Sequence, residues 1–208
     1  MSTEKSLKQS NAVNLWLFFT FNIIVYTLFF YPEFTTLFDG DLKSVLTLRS
    51  SGIVIAPIIL FAINGVLTSD QKAFLVYWKF RNTLPGHRAF TKYALEDPRV
   101  DLNRIIRLHG PLPRIPKTQN TLWYKIYRSN KDEVTVQSSH KAFLLGRDLC
   151  VQAFLFLLLS IVMLFLSSVD HPWIYCLIIF FEFVLMIRIA QNHGRQFVRN
   201  VLAIESTK

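Results

Sequence analysis

Four stretches of the chain lack the mix of polar and apolar positions that a water-facing helix shows. Ala12–Tyr31 runs 20 residues without a charge and Leu149–Val169 runs 21. At about 1.5 Å of rise per residue, either helix reaches across a hydrocarbon core of about 30 Å. Ser51–Thr68, 18 uncharged residues between Arg49 and Asp70, and Pro172–Ala190, with Glu182 inside it and Arg188 near its end, meet the short end of the spanning range. Arg188 can snorkel to the headgroups and need not end its helix. The pattern predicts an all-α membrane protein with four transmembrane helices: two hairpins, 1–68 and 149–208, flank a small, mainly helical, basic cytosolic insertion, 69–148. Ala12–Tyr31 is too long for a removable signal peptide and has no small-residue cleavage site after it, so it is expected to stay.

Shorter periods organise the insertion. Gln71–Asn82 carries helix formers and no breaker before the Leu84-Pro85-Gly86 turn, so span two is expected to run on as far as Asn82. Asp97 then reads as an N-cap, Pro98 as the first helical residue and Gly110 as the position past the end. Leu102, Ile105, Ile106 and His109 share one stripe of that helix, with Arg99, Arg104 and Arg107 partly opposite. Pro111, Pro113 and Pro116 predict an extended connector. A second helix follows over Thr118–Arg128, with Leu122, Trp123, Ile126 and Tyr127 in period, and Glu133–Val136 alternates like a brief strand. His140–Asp148 is expected to flow into span three, and Gln191–Ile204 to continue span four inward. The loop Pro32–Ser50, rich in Phe and Leu around an Asp39-Gly40-Asp41 turn, is expected on the outer interface.

Composition agrees: 51% of residues are hydrophobic and 18% charged, against an ordinary cytosolic enzyme. The net charge of +9 would suggest nucleic-acid binding if it were spread evenly, but it is not. Residues 69–148 hold 15 basic and 7 acidic side chains, and the tail from Arg188 holds 4 and 1, whereas 32–50 is slightly acidic. By the positive-inside rule this places both termini and the insertion in the cytoplasm. The two cysteines, Cys150 and Cys176, fall inside spans and read as small core residues. The five histidines show no metal-ligand spacing, so neither metal nor cofactor is expected.

Two sets of residues are candidates for function. Glu182 within an apolar span is costly unless paired, protonated or wetted, and Asn22, Asn64 and Gln152 in the other spans are its available partners. Trp78, Lys79, Arg81, Arg88, Arg104, Arg107, Trp123, Lys125 and Arg128 form a basic and aromatic set. Such a set suits anionic lipid headgroups or a soluble protein partner, and also a nucleotide or nucleic acid. No P-loop, G-x-S-x-G or H-E-x-x-H is present. An insertion of this size without disulfides calls for support, which favours a homo-oligomer. The expectation is a non-enzymatic, oligomeric sensor, scaffold or effector. An ion channel or small transporter using Glu182 is the alternative, and a membrane-bound enzyme acting on lipid or nucleotide is a third reading.

The segment Tyr77-Trp78-Lys79-Phe80-Arg81-Asn82-Thr83-Leu84-Pro85-Gly86-His87-Arg88-Ala89-Phe90 resembles one found in small bacterial inner-membrane proteins. The two hairpins around a basic insert resemble multi-pass membrane components of anti-phage defence systems, such as the Kiwa membrane subunit. The resemblance implies a membrane protein whose cytosolic part senses a signal or docks a soluble effector, with membrane perturbation or signal relay as output.

Overall fold

The computed structural model describes residues 9–30, 62 and 65–208. The loop 32–50 and nearly all of the predicted second span, Pro57 and Asn64 included, lie outside the described residues. Six α-helices are described: α1 (Ala12–Phe30), α2 (Ser69–Tyr77), α3 (Leu102–His109), α4 (Pro116–Ser129), α5 (Val134–Leu166) and α6 (Trp173–Glu205). Between α2 and α3 a 3-10 turn, Pro85–Arg88, leads into a π-helical turn, Ala89–Tyr93. Among the described residues there is no strand. Three helices, α1, α5 and α6, are long and apolar enough to cross a membrane.

Several boundaries differ from expectation for local reasons. α2 stops at Tyr77 because Trp78 turns into the left-handed region (φ 53) while its N–H still reaches the Phe74 carbonyl at 2.7 Å. Asp97 does not cap α3: its carboxylate is held by the Arg99 backbone N–H and guanidinium, and Pro98 lies outside the helix. Asp101 caps instead, accepting the Arg104 N–H at 3.0 Å. Gly110 closes the helix with φ 77, a conformation glycine adopts without penalty. In α3 Ile105 is buried but Ile106 is exposed, so the expected stripe is narrower. Pro116 belongs to α4 rather than to the extended connector, at the first helical position where its missing N–H costs nothing. The expected strand at Glu133–Val136 is the start of α5: the Glu133 carbonyl accepts the Gln137 N–H, and among the described residues there is no strand to pair with it.

α5 and α6 are each unbroken for 33 residues. The predicted spans 149–169 and 172–190 are segments of these helices, and α5 ends at Leu166, short of Val169. Two compact units share them. The first unit comprises Ser69–Arg147 and Ile187–Lys208 with Asn11, whose amide donates to the Lys141 carbonyl at 2.9 Å. Its core packs Phe90, Tyr93, Ile105, Trp123, Ile126, Val136, Phe143, Phe197, Val201 and Leu202 together. Gln119 pins the π-helical turn to α4. Its Oε1 accepts the N–H groups of Phe90 (3.1 Å) and Thr91 (3.2 Å), and its Nε2 donates to the Arg114 carbonyl at 2.8 Å.

The second unit contains α1 and the Asp148–Met186 parts of α5 and α6. Phe19, Asn22, Tyr26 and Phe30 form the buried stripe of α1, with Phe19 against Phe156 and Phe30 against Tyr175. The outer stripe of the same helix, Val13, Leu17, Phe21, Ile24 and Leu28, is also apolar, although exposed. A helix apolar on both faces is one whose solvent is not water.

Candidate functional site

The described residues contain one polar pair inside the apolar unit and one aromatic cavity in the other unit, and each is assembled from residues distant in sequence. In the apolar unit Asn22 Nδ2 donates to Glu182 Oε1 at 3.0 Å and also to the Phe18 carbonyl at 3.1 Å. Of the partners expected for Glu182, this one is made. Gln152 is buried with its Oε1 unpartnered, and Asn64 lies outside the described residues.

The cavity has a volume of about 190 Å³. One wall is α4, where period three to four brings Asn120, Trp123 and Tyr127 onto one side, with Tyr124 at the rim. Pro85 and Gly86 of the 3-10 turn form a second wall. They lie so close to α4 that a Cβ on Gly86 would collide with Asn120 Oδ1 and come within 2.7 Å of the Trp123 ring. α5 contributes His140, Phe143, Leu144 and Arg147, and α6 contributes Phe197.

The rings are ordered against one another. Trp123 and Tyr127 lie 12° from parallel, the His140 imidazole stacks on Phe197 at 4.7 Å and 5°, and Phe197 presents its face or edge to Trp123 at 90°. The Tyr127 hydroxyl and His140 Nδ1 share a hydrogen bond of 3.1 Å that fixes the imidazole. Two polar atoms of the cavity residues, Trp123 Nε1 and Asn120 Oδ1, are buried and have no hydrogen-bond partner. An unmade hydrogen bond at a buried donor or acceptor is costly.

Beside the cavity, α4 turns a second stripe outward. Thr121, Lys125, Arg128 and Ser129 line a shallow groove, and Tyr124 borders both groove and cavity. Of the basic and aromatic residues singled out in the sequence, Lys125 and Arg128 therefore share the groove, while Trp123, two residues before Lys125, is turned to the other side of α4 in the cavity wall. The others lie elsewhere. Trp78, Lys79 and Arg81 are exposed on the turn after α2, Arg107 is exposed on α3, and Arg104 bonds the Lys208 backbone carbonyl. Arg88 closes the 3-10 turn half-buried, with its Nη2 buried and unpartnered. Asn120, His140, Phe143, Arg147 and Phe197 were not singled out as site residues. Only folding places them beside Trp123, and the signal available in the sequence was the Trp123 and Tyr127 spacing.

The same unit holds a buried ion network. Glu205 Oε1 meets His109 Nε2 at 2.7 Å, and Oε2 accepts from Asn130 Nδ2 at 2.6 Å, with Lys208 Nζ at 3.5 Å. Burial pushes the Glu205 carboxyl upward, but the hydrogen bonds from Asn130 and His109 and the Lys208 charge outweigh it and hold it below the usual range. Asp97 is likewise lowered, chiefly by its hydrogen bond from Arg99. Burial raises the Tyr77 phenol, assisted by Tyr93 and opposed by Arg88, Arg195 and Arg147, so it stays neutral. Its hydroxyl is unpartnered and faces the site where a Cβ on Gly194 would sit. Among the described residues no three His, Cys, Asp or Glu side chains gather as a metal site.

Comparison with known proteins gives no match, whether to a family model, a curated protein or a solved structure.

Proposed function

We propose that the chain is a receptor of the bacterial inner membrane: four spans, both termini cytoplasmic, and a cytosolic unit that takes up a ligand or soluble partner and passes its state to the membrane helices without catalysis. One observation carries this reading. The cavity walls contributed by His140, Phe143, Leu144 and Arg147 belong to α5 and that of Phe197 to α6, the same two uninterrupted helices whose other ends are candidate spans. A rotation or shift that a guest imposes on a stiff helix at one end is felt along its length.

The charge partition supports the orientation, and the absence of a nucleophile or phosphate-loop motif from the sequence supports a non-catalytic role. Trp78 and Phe80, exposed and alternating with Lys79 and Arg81, suit anionic headgroups. Homo-oligomerisation would give the small basic unit its support, and the resemblance to anti-phage membrane components supplies a setting in which a sensor or effector docks a soluble partner.

Single cysteines at Ser44 and Ser129 in a background lacking Cys150 and Cys176 test the orientation. An impermeant maleimide applied to intact cells is expected to label Ser44→Cys and spare Ser129→Cys, and labelling of Ser129→Cys from outside overturns it. Native mass measurement of the tagged complex drawn from membranes then reports subunit number and any soluble partner.

A further inference from the structure

We propose that the turn Trp78–Arg81 and the Arg188 and Arg195 side chains of α6 together form a binding site for the headgroup of an anionic phospholipid. The inference names a lipid partner for the membrane reading above and rests on that reading, not on the receptor role. Gln191 Nε2 donates to the Val76 carbonyl at 2.8 Å, so the end of α2 lies against α6 at the first residue after the predicted span 172–190. The approach is so close that a Cβ on Gly194 would overlap the Tyr77 hydroxyl. Arg188 and Arg195 stand three residues before and four after Gln191, which in a helix is the same face, and both are exposed. The Tyr77 phenol, raised chiefly by its own burial, feels Arg195 among the charges that oppose the rise, which puts that guanidinium near the start of the turn.

The turn holds its rings outward. Trp78 takes φ 53 and Asn82 φ 54; asparagine enters this left-handed region readily, a bulky aromatic residue rarely. Phe80 lies 4.9 Å from the Phe74 ring yet is 91% exposed, the most exposed large apolar side chain among the described residues, and Trp78 is 68% exposed. Water penalises such rings, whereas the boundary between hydrocarbon and headgroups favours them with cations alongside. No Asp or Glu occurs in 71–95 or 183–204, and among the described residues no carboxylate pairs with Lys79, Arg81, Arg188 or Arg195. Uncompensated cations around two rings, at the level where an apolar run ends, match a lipid phosphate with its acyl chains beside it. An acidic peptide or a nucleic acid would meet the same charges, but neither requires them where an apolar run ends.

Full-length protein is reconstituted in phosphatidylcholine vesicles with spin-labelled phosphatidylglycerol or spin-labelled phosphatidylcholine. The motionally restricted fraction of each label gives the lipid preference, and a thermal melt confirms that each variant is folded. Expected is a preference of about tenfold for phosphatidylglycerol, lowered about threefold by Lys79→Gln with Arg81→Gln and about threefold by Arg188→Gln with Arg195→Gln. Lys125→Gln with Arg128→Gln, an equal change of charge on α4, is expected to leave the preference unchanged. In a chain carrying Trp16→Phe, Trp123→Phe and Trp173→Phe, the emission of Trp78 is expected to be quenched by lipid brominated near the glycerol end of its chains.

No preference for phosphatidylglycerol, or one lowered as much by the α4 pair as by the other two, overturns the proposal. So does displacement of the labelled lipid by glycerol 3-phosphate at constant ionic strength, which assigns the cations to a soluble anion, or by a single-stranded oligonucleotide, which assigns them to nucleic acid. Trp78 emission quenched by aqueous iodide and not by brominated lipid overturns it too. A chain that carbonate releases from membranes overturns the membrane reading as well, whereas a chain retained there without the preference overturns the site alone.

Discussion

Leu95 and Phe181 are equally exposed, at 66% each, and the two residues stand for opposite kinds of surface. Around Leu95 exposed apolar side chains are scattered, while the large rings and branched chains of its unit are inside, from Phe90 to Leu202. Around Phe181 the exposed chains are continuous: Ile174, Leu177, Ile178, Val184 and Leu185 on α6, and Leu158, Ile161, Val162, Phe165 and Leu166 on α5. The first unit obeys the rule of a protein in water, where apolar surface is buried against itself and polar groups such as Gln119 are satisfied inside. The second keeps apolar residues on the outside as well, which water would penalise and lipid does not. Exposure alone therefore says little until the surrounding stripe says what the residue is exposed to.

The largest expected effect breaks or upholds that contrast directly. Phe181→Arg is expected to cost about 3 kcal/mol of membrane insertion, the penalty of a guanidinium at the middle of a span. Leu95→Arg is expected to stay within about 0.5 kcal/mol of wild type, as an ordinary surface change does. The fraction of chain recovered in the membrane checks the first and the thermal melt checks the second, and equal losses at both sites would abolish the distinction. Next in size comes Gln119→Leu, which strips acceptors from the Phe90 and Thr91 N–H groups and is expected to cost about 2 kcal/mol. Gln119→Glu is no rescue, because it keeps the acceptor but loses the donor to the Arg114 carbonyl and buries a carboxylate there, and it is expected to lower Tm at least as much.

The two units also differ in how much of them can be read from the chain. α1, α5 and α6 follow from apolar runs, because a helix in lipid depends on composition over twenty residues and little on any one partner. The continuation of α5 and α6 beyond their apolar runs is equally legible, as is Gly110. In the other unit local signals compete. Asp97 and Asp101 both carry a capping side chain, and Asp97 is diverted by Arg99, two residues on, which no pattern of apolar positions reveals. Val134-Thr135-Val136 has strand propensity, but a strand needs a partner and the chain supplies a helix to extend. The cavity is the least legible of all. Trp123 was a visible candidate with Tyr127, yet the residues that close the cavity around them come mostly from α5, α6 and the 3-10 turn.

A smaller effect sharpens the contrast from inside the apolar unit. Asn22→Leu removes the donor to Glu182, and its coupling to Glu182→Leu, which removes the acceptor, is expected at about 1 kcal/mol in a double-mutant cycle, the usual size of a hydrogen bond between membrane helices. Glu182→Gln alone keeps an acceptor for Asn22 and is expected to melt close to wild type. The same variant separates pairing from transport. Liposomes holding the purified protein are expected to show no Glu182-dependent ion flux, and robust flux lost in Glu182→Gln would move the reading to a channel.

The smallest effect lies at the other end of α6, where Glu205 is held by groups from three directions: His109 on α3, Asn130 after α4, and Lys208 in its own tail. The folded carboxyl titrates below the ordinary glutamate range near 4.5, so the unfolded chain takes up its proton first as pH falls. The stability that this ionised carboxylate contributes is present above about pH 4.5 and is lost as pH falls from there through the folded value. Asp97, lowered in the same sense by Arg99, adds to the acid loss, so the contribution of Glu205 is read as a difference between wild type and Glu205→Gln. At neutral pH the variant is expected to melt lower, because Lys208 loses its counter-charge and the His109 ring its hydrogen bond to a carboxylate. Below about pH 4.5 the two curves should converge, since the wild-type carboxyl is then gaining the proton that makes it resemble the amide. A gap that is constant from pH 7 down to pH 3 would mean that Glu205 acts through packing alone, and the contrast would then rest on the hydrogen bonds of Gln119.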